Sequence, residues 1–239
     1  MSRRRFFVSE IRRNTAELTG DEAEHLVRVL RAEPGQVYEL SDNRNLYLAQ
    51  IETARKSLVS FRVLEELPSP PPSPWICLMP ALFKFDRFEW LVEKAVELGV
   101  SVIHPFEAVR TERGLAEASR KRRARWEKIA REASQQARRA FLPSIEETSL
   151  FSEALAMEAD VKLLLDENAT TPILSALPSV RSVSGRIALL LGPEGGWTDE
   201  ERERALNSGW MACSLGPTVL RAETAATAAL AIVQAAWQQ

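Results

Sequence analysis

Two spacings of apolar residues divide this chain. Before residue 68 the apolar positions fall in short alternating runs, Val37–Leu40, Leu46–Ile51 and Leu58–Val63. Such runs predict strands of a small sheet or barrel. Gly35 after Pro34, and the Asp42-Asn43 pair, supply the turns. Ahead of them, TGDEAEHLVRVLR predicts a helix, with Leu26, Val29 and Leu30 at helical spacing and Thr19 and Glu22 as a capping box. After residue 74 the pattern changes to unbroken apolar runs alternating with amphipathic stretches. Strands are predicted at Trp75–Leu82, Val100–His104, Val161–Leu165, Ile187–Leu191 and Met211–Leu215. Helices are predicted at Phe85–Leu98, Glu117–Arg139, Thr198–Asn207 and Ala222–Trp237, with Gly99 ending the first and Thr198 with Glu201 capping the third. Strands buried on both faces and alternating with helices imply a parallel α/β sheet.

The proline-rich PSPPPSP, Pro68 to Pro74, separates the two patterns, because proline at this density forms neither helix nor central strand. The expected organisation is therefore a small domain at 1–67, a linker at 68–74 and an α/β domain at 75–239. No apolar run is long enough to cross a membrane. The segment MSRRRFFVSE is basic but lacks the apolar core of a signal peptide, so the expectation is a cytoplasmic protein. Cys77 and Cys213 are far apart, and His25 and His104 are the only histidines, so neither a disulfide nor a metal site is expected. The net charge of -2 conceals a segregation. Residues 110–139 carry eleven Lys/Arg against four Asp/Glu, whereas residues 146–239 carry six against thirteen. A basic stretch within a near-neutral chain is a candidate polyanion-binding face, or simply a solvated helix face.

Two segments near the C-terminus carry the candidate chemistry. LLLGPEGGWTDEE spans Leu189 to Glu201, and SLGPTVLRAETAATAAL spans Ser214 to Leu230. Each is an apolar run that breaks at Gly-Pro and enters a helix, and ligands in open α/β sheets bind at such carboxyl ends. Neither loop suits phosphate. Pro193 has no N–H, Glu194 adds negative charge, and there is no GK[ST] or GxGxxG. A ligand carrying positive charge fits better. S-adenosylmethionine, with its sulfonium and its flat adenine open to backbone hydrogen bonds, is such a ligand. Tight turns remain the plain alternative for each glycine.

These two segments resemble the C-terminal signatures of the SPOUT-class RNA methyltransferases, and specifically of the RsmE family of 16S rRNA uridine-N3 methyltransferases. RRRFFV and HLVRVLRAEPGQ are similar to that family's N-terminal domain. FDRFEWLVEKAVELGVSVIHPF is similar to its first helix and strand, and RWEKIAREASQQARRAFLP to its central basic helix. The resemblance implies a PUA-like β-barrel followed by a trefoil-knotted, mostly parallel α/β domain. It also implies a homodimer, S-adenosylmethionine as cofactor, and methylation of a uridine in the decoding region of the small ribosomal subunit. The alternatives are another RNA target, such as a tRNA ribose 2′-oxygen, or a non-catalytic assembly factor.

Carried onto this sequence, the resemblance places the cofactor against Leu165, Leu191, Gly192, Pro193, Glu194, Gly195, Gly196, Leu215, Gly216, Leu220, Thr224 and Ala225. Arg221 is the first candidate for a catalytic contact, steadying an anionic uracil, with a salt bridge to Glu223 or Glu194 as the alternative. Glu223 is a candidate to orient Arg221 or act as base, or only to favour the helix N-terminus. Arg113, beside Arg110, is a candidate substrate contact in a loop that the resemblance brings toward a partner subunit. RNA contacts are expected from Arg3, Arg4, Arg5, Arg28, Arg31, Arg110, Arg122, Arg123, Arg125, Arg138 and Arg139. Neither cysteine is placed in a loop for attack on a pyrimidine ring, which favours N3 over C5 chemistry.

Overall fold

The computed structural model describes residues 4–71 and 73–237. The chain forms two compact units, Met1–Pro71 with Ser134–Leu142, and Pro72–Ala133 with Pro143–Gln239. The division near residue 71 falls in the proline-rich stretch. The return of residues 134–142 to the first unit has no counterpart in the sequence pattern, which runs one helix from Glu117 as far as Arg139.

The first unit is a six-stranded sheet. Its strands are β1 (Arg5–Phe7), β2 (Ile11–Arg12), β3 (Thr15–Thr19), β4 (Val37–Ser41), β5 (Leu46–Arg55) and β6 (Leu58–Leu67), in the order β1-β4-β5-β6-β3-β2. All pairs are antiparallel except β1 with β4. Alternation sends Leu40, Ala49, Ile51, Val59 and Phe61 into one buried cluster with Leu26 and Ala23. Helix α1 (Gly20–Glu24) continues into a π-helical turn, His25–Val29, where the Leu30 N–H reaches back five residues to His25. Thr19 does not cap α1. It is the last residue of β3, opposite Leu58, and the turn into the helix is made by Gly20 at φ +65°. The capping box expected at Thr19 and Glu22 is therefore absent.

The second unit is built on six parallel strands in the order β10-β8-β7-β13-β12-β14. They are β7 (Trp75–Pro80), β8 (Val102–Ile103), β10 (Ser144–Ile145), β12 (Val161–Leu165), β13 (Arg186–Leu191) and β14 (Met211–Cys213). A separate two-stranded ladder joins β9 (Phe106–Glu107) to β11 (Ser149–Leu150). The helices are α2 (Phe85–Glu97), α3 (Leu115–Gln136), α4 (Phe151–Leu155), α5 (Ile173–Ala176), α6 (Asp199–Asn207) and α7 (Ala222–Trp237). Central β13 is buried on both faces. Ile187, Leu189 and Leu191 join one cluster with α2, α7 and Trp126, while Ala188 and Leu190 join another with Trp197 and Trp210. This two-sided burial is why its sequence reads as continuous Leu and Ile. Helix α2 ends as its sequence predicts. Gly99 at φ +86° lets its own N–H reach Val96 and the Val100 N–H reach Ala95, a Schellman closure that carries the chain into β8. Helix α3 starts two residues earlier than predicted, after Gly114 at φ +86°, and stops three residues earlier, before Arg138 at φ +57°. Among the described residues, no helix is long and apolar enough to cross a membrane.

Candidate functional site

Strands β12, β13 and β14 end side by side, and the loops leaving their carboxyl ends enclose a cavity of about 350 Å³. The first wall is the loop after β13. Its turn closes through the Gly196 N–H on the Pro193 carbonyl at 2.8 Å, with Gly196 at φ +69°. Leu191, Gly192, Pro193, Glu194 and Gly196 face the cavity. The second wall is the loop after β14, where Leu215, Gly216, Thr218, Val219, Leu220 and Arg221 lead into α7, with Ala222 and Ala225 behind them. Leu165, Asp166 and Glu167 from the end of β12 form the third.

Tight packing holds the first loop in shape. Trp197, only 3% exposed, donates its indole N–H to the Leu165 carbonyl at 2.9 Å and stacks on Phe106. Gly192 lies directly against that ring. A Cβ there would stand 2.9 Å from Trp197 Cε2, so glycine is the side chain that this approach admits. Glu201 is 1% exposed. Its Oε2 accepts from the Thr198 N–H and hydroxyl, each at 3.0 Å, and its Oε1 accepts from the Val109 N–H at 2.9 Å. The capping box that starts α6 thus also ties down the loop after β9. From that loop, Arg110 Nη1 donates to the Gly195 carbonyl at 2.7 Å and to the Trp197 carbonyl at 3.3 Å.

The charges around the cavity are mostly paired. Glu194 pairs with Arg87 of α2. Asp166, nearly buried, pairs with Arg202 of α6 at 2.7 Å, and this carboxylate raises the Arg202 guanidinium pKa, chiefly through the hydrogen bond. Glu167 and Arg221 are exposed and, among the described residues, have no ion-pair partner. Cys213 lies on the wall, but burial pushes its thiol up to about 12. Cys77 is likewise raised to about 12, first by burial. Both are therefore thiols at neutral pH. Among the described residues, no group of three or more His, Cys, Asp or Glu is arranged to hold a metal ion.

Not every residue expected at the site reaches the cavity. Gly195 turns away, and its carbonyl is the acceptor for Arg110. Thr224 and Glu223 also lie off the lining, and Glu223 Oε2 is buried without a hydrogen-bond partner among the described residues. Among the described residues neither alternative ion pair of Arg221 forms: Glu194 is held by Arg87, and no salt bridge joins Arg221 to Glu223. Arg113 is exposed on the loop before α3. Arg87, Asp166, Glu167, Trp197, Cys213, Thr218, Val219 and Ala222 line the cavity unannounced by the sequence reading. The Gly-Pro pattern marks backbone, and these side chains come from neighbouring elements or from positions that read as ordinary packing.

The expected RNA-contacting arginines differ in availability. Arg3 lies outside the described residues. Arg4 and Arg31 are exposed. Arg5 is half-buried and pairs with Glu39 at 2.8 Å while donating to the Arg138 carbonyl at 2.6 Å. Arg28 pairs with Glu24, and Arg138 with Glu39. Desolvation lowers the half-buried Arg139 to about 10. On α3, Arg122 and Arg125 both pair with Glu89, and Arg123 with Glu127 and Glu147. Arg120 and Lys121 are exposed, with no ion pair among the described residues.

Comparison with known proteins fits this geometry. Residues 70–234 match the model of an RNA methyltransferase domain, and residues 18–64 that of an RNA methyltransferase PUA domain. Ribosomal RNA small subunit methyltransferase E from Bacillus subtilis is 31% identical, over 92% of this chain and 89% of the relative. The protein of the same name from Mycobacterium bovis is 34% identical, over 91% of this chain and 85% of the relative. The solved ribosomal RNA small subunit methyltransferase E of Neisseria gonorrhoeae, bound to S-adenosyl methionine, superimposes with a TM-score of 0.85 at 30% identity, covering 99% of this chain and 98% of that one. A methyltransferase from Legionella pneumophila in complex with the same cofactor gives a TM-score of 0.89 at 30% identity, again covering 99% and 98%. With its PUA-type unit and its SPOUT-type α/β unit, the chain belongs to the ribosomal RNA small subunit methyltransferase E family.

Proposed function

We propose that this protein methylates N3 of a uridine in 16S ribosomal RNA, using S-adenosylmethionine. The observation that carries this reading is the cavity of about 350 Å³ between the two Gly-Pro loops, within the size range of small-molecule sites. Its lining suits that cofactor. Leu165, Leu191, Leu215 and Leu220 offer apolar surface for a flat base, Gly192 and Gly196 leave backbone accessible, and of the two lining arginines Arg87 is neutralised by Glu194. Of its carboxylates, Glu167 alone has no ion-pair partner among the described residues, and it favours a cation beside it over a phosphate. When bound, S-adenosylmethionine supplies an electrophilic methyl group.

The protein's remaining task is to make N3 nucleophilic. That atom carries a proton at neutral pH and attacks only once the proton has left. Arg221, exposed on the cavity lining and without an ion pair among the described residues, is assigned to hold the charge that develops on the uracil oxygens. Burial raises both cysteine thiols, so neither supplies the ready thiolate that C5 methylation through a covalent intermediate needs. Glu223 lies off the cavity and receives no proton-transfer role. Arg113 is assigned a phosphate contact, and Arg120, Lys121, Arg4 and Arg31 are the exposed cations available for others. The trefoil knot, and a homodimer that brings loop 108–114 to a second copy's cavity, belong to the same reading.

Arg221→Ala tests the assignment. Methyl transfer to small-subunit RNA should fall by about a hundredfold, while calorimetric affinity for S-adenosylmethionine changes less than about threefold. Turnover near wild type would remove Arg221 from the mechanism. No cofactor binding by the wild-type protein would favour a non-catalytic assembly factor.

A further inference from the structure

Three carboxylates stand on the cavity wall, and they are not equivalent. Glu194 is neutralised by Arg87 and Asp166 by Arg202. Glu167 has no ion pair or hydrogen bond among the described residues. It follows Asp166 in a turn closed by the Asn168 N–H on Asp166 Oδ1 at 3.1 Å, and this turn presents Glu167 to the first Gly-Pro loop. Its Oε1 lies 3.6 Å from the point where a side chain on Gly196 would begin. Arg110 Nη1 lies 4.0 Å from the same point. Its Nη1 is engaged by the Gly195 and Trp197 carbonyls and does not pair with Glu167.

We propose that Glu167 is a specificity-determining residue that makes the cavity prefer the cationic methyl donor over its demethylated, neutral-sulfur product. The inference rests on the assignment of this cavity to S-adenosylmethionine. Methyl transfer removes the sulfonium charge, so an uncompensated carboxylate on the wall attracts the donor more than the product. Glu194 and Asp166 contribute less to the distinction, because their arginines already balance them. At a partly exposed rim, opposite charges a few ångströms apart in a medium near water alter affinity by roughly fourfold. The result is a site biased toward release of product and reloading with donor.

Calorimetry with three probes tests this on the full-length protein and on Glu167→Gln and Glu167→Asp. The probes are S-adenosylmethionine, S-adenosylhomocysteine, and sinefungin, which carries an amine where the donor carries its sulfonium. Wild type should bind both cationic probes at least about fourfold more tightly than S-adenosylhomocysteine. Glu167→Gln should bring that ratio toward one, and Glu167→Asp should retain most of it. Added salt should narrow the wild-type ratio and leave that of Glu167→Gln unaltered. An unchanged ratio in Glu167→Gln overturns the proposal, and so does an equal weakening of all three probes, which marks a contact blind to charge. If wild type binds none of the probes, the cofactor assignment itself falls, an outcome distinct from binding without discrimination.

Discussion

Replacing Gly192 by alanine adds one methyl group where the structure has no room for it. The new Cβ would lie 2.9 Å from Trp197 Cε2, 3.1 Å from Nε1 and 3.2 Å from Cδ2. The indole has little freedom to retreat. Its N–H is bonded to the Leu165 carbonyl at 2.9 Å, Phe106 stacks on it and Phe151 packs against it at a tilt, with ring centroids at 6.1 and 5.8 Å. Relief requires either a shift of β13 or loss of the buried indole hydrogen bond. Overpacking of this kind costs about 1–3 kcal/mol, and a buried donor left unpaired about as much again. With partial relaxation, a loss of about 3 kcal/mol is expected, which lowers Tm by roughly 6–12 °C in a chain of this size. The assay is thermal unfolding followed by tryptophan fluorescence, paired with calorimetry for S-adenosylmethionine, whose affinity should fall at least tenfold as the loop shifts. Gly195→Ala is the control. Its Cβ meets the stem of Arg110 at 3.2 Å, an exposed and adjustable side chain, so a loss below about 1 kcal/mol is expected. Wild-type stability and affinity in Gly192→Ala would refute the claim that Trp197 braces the cofactor loop.

Other perturbations have separable outcomes. Arg110→Ala removes the donor to Gly195 and Trp197 and should weaken cofactor affinity by about tenfold while leaving the salt dependence of RNA binding unaltered; a reduced salt slope would instead restore Arg110 as a phosphate contact. Replacing both Arg120 and Lys121 by glutamine should lower that slope by roughly one to two units, because these cations have no carboxylate partner among the described residues; an unaltered slope would mark them as a solvated face. His104 has a folded-state pKa lowered first by burial, against an opposing pull from Glu146 and Glu153. Its contribution to stability is therefore fully present above the unfolded value of about 6.5 and lost as pH falls through the lower folded value. Chemical denaturation across this range should show less acid destabilisation in His104→Gln than in wild type, and equal acid sensitivity would reject the role of this histidine.

Periodicity made some elements of this protein legible and left others invisible. β12 and β13 begin and end close to where their Leu, Val and Ile runs do, because both faces of each strand are buried. Thr198 and Glu201 form the box that their spacing predicts, with both hydrogen bonds made. Thr19 and Glu22 have the same spacing and form none, because Thr19 is held in the β3–β6 ladder. Apart from β12, residues 144–185 hold two-residue strands and helices of four and five residues, too short for either period to appear. The Gly-Pro loops marked the cavity because glycine and proline record backbone constraints directly. Its charged residues were less legible. Arg87 reads as the polar face of α2, and Asp166 as an ordinary residue after a strand. Only the parallel sheet order places the ends of β12, β13 and β14 together. The arginine run on α3 reads as one basic patch, yet Glu89 lies between Arg122 and Arg125 and binds both.

The most direct measurement is the position of the methyl group. Small-subunit RNA lacking the modification is incubated with the protein and isotopically labelled S-adenosylmethionine, digested to nucleosides, and analysed by mass spectrometry with the modified nucleotide mapped in sequence. The account predicts label in 3-methyluridine at one site of 16S rRNA, incorporated about a hundredfold more slowly by Arg221→Ala. Label on a ribose 2′-oxygen, on C5 of a pyrimidine, or on no nucleoside of this RNA would contradict it.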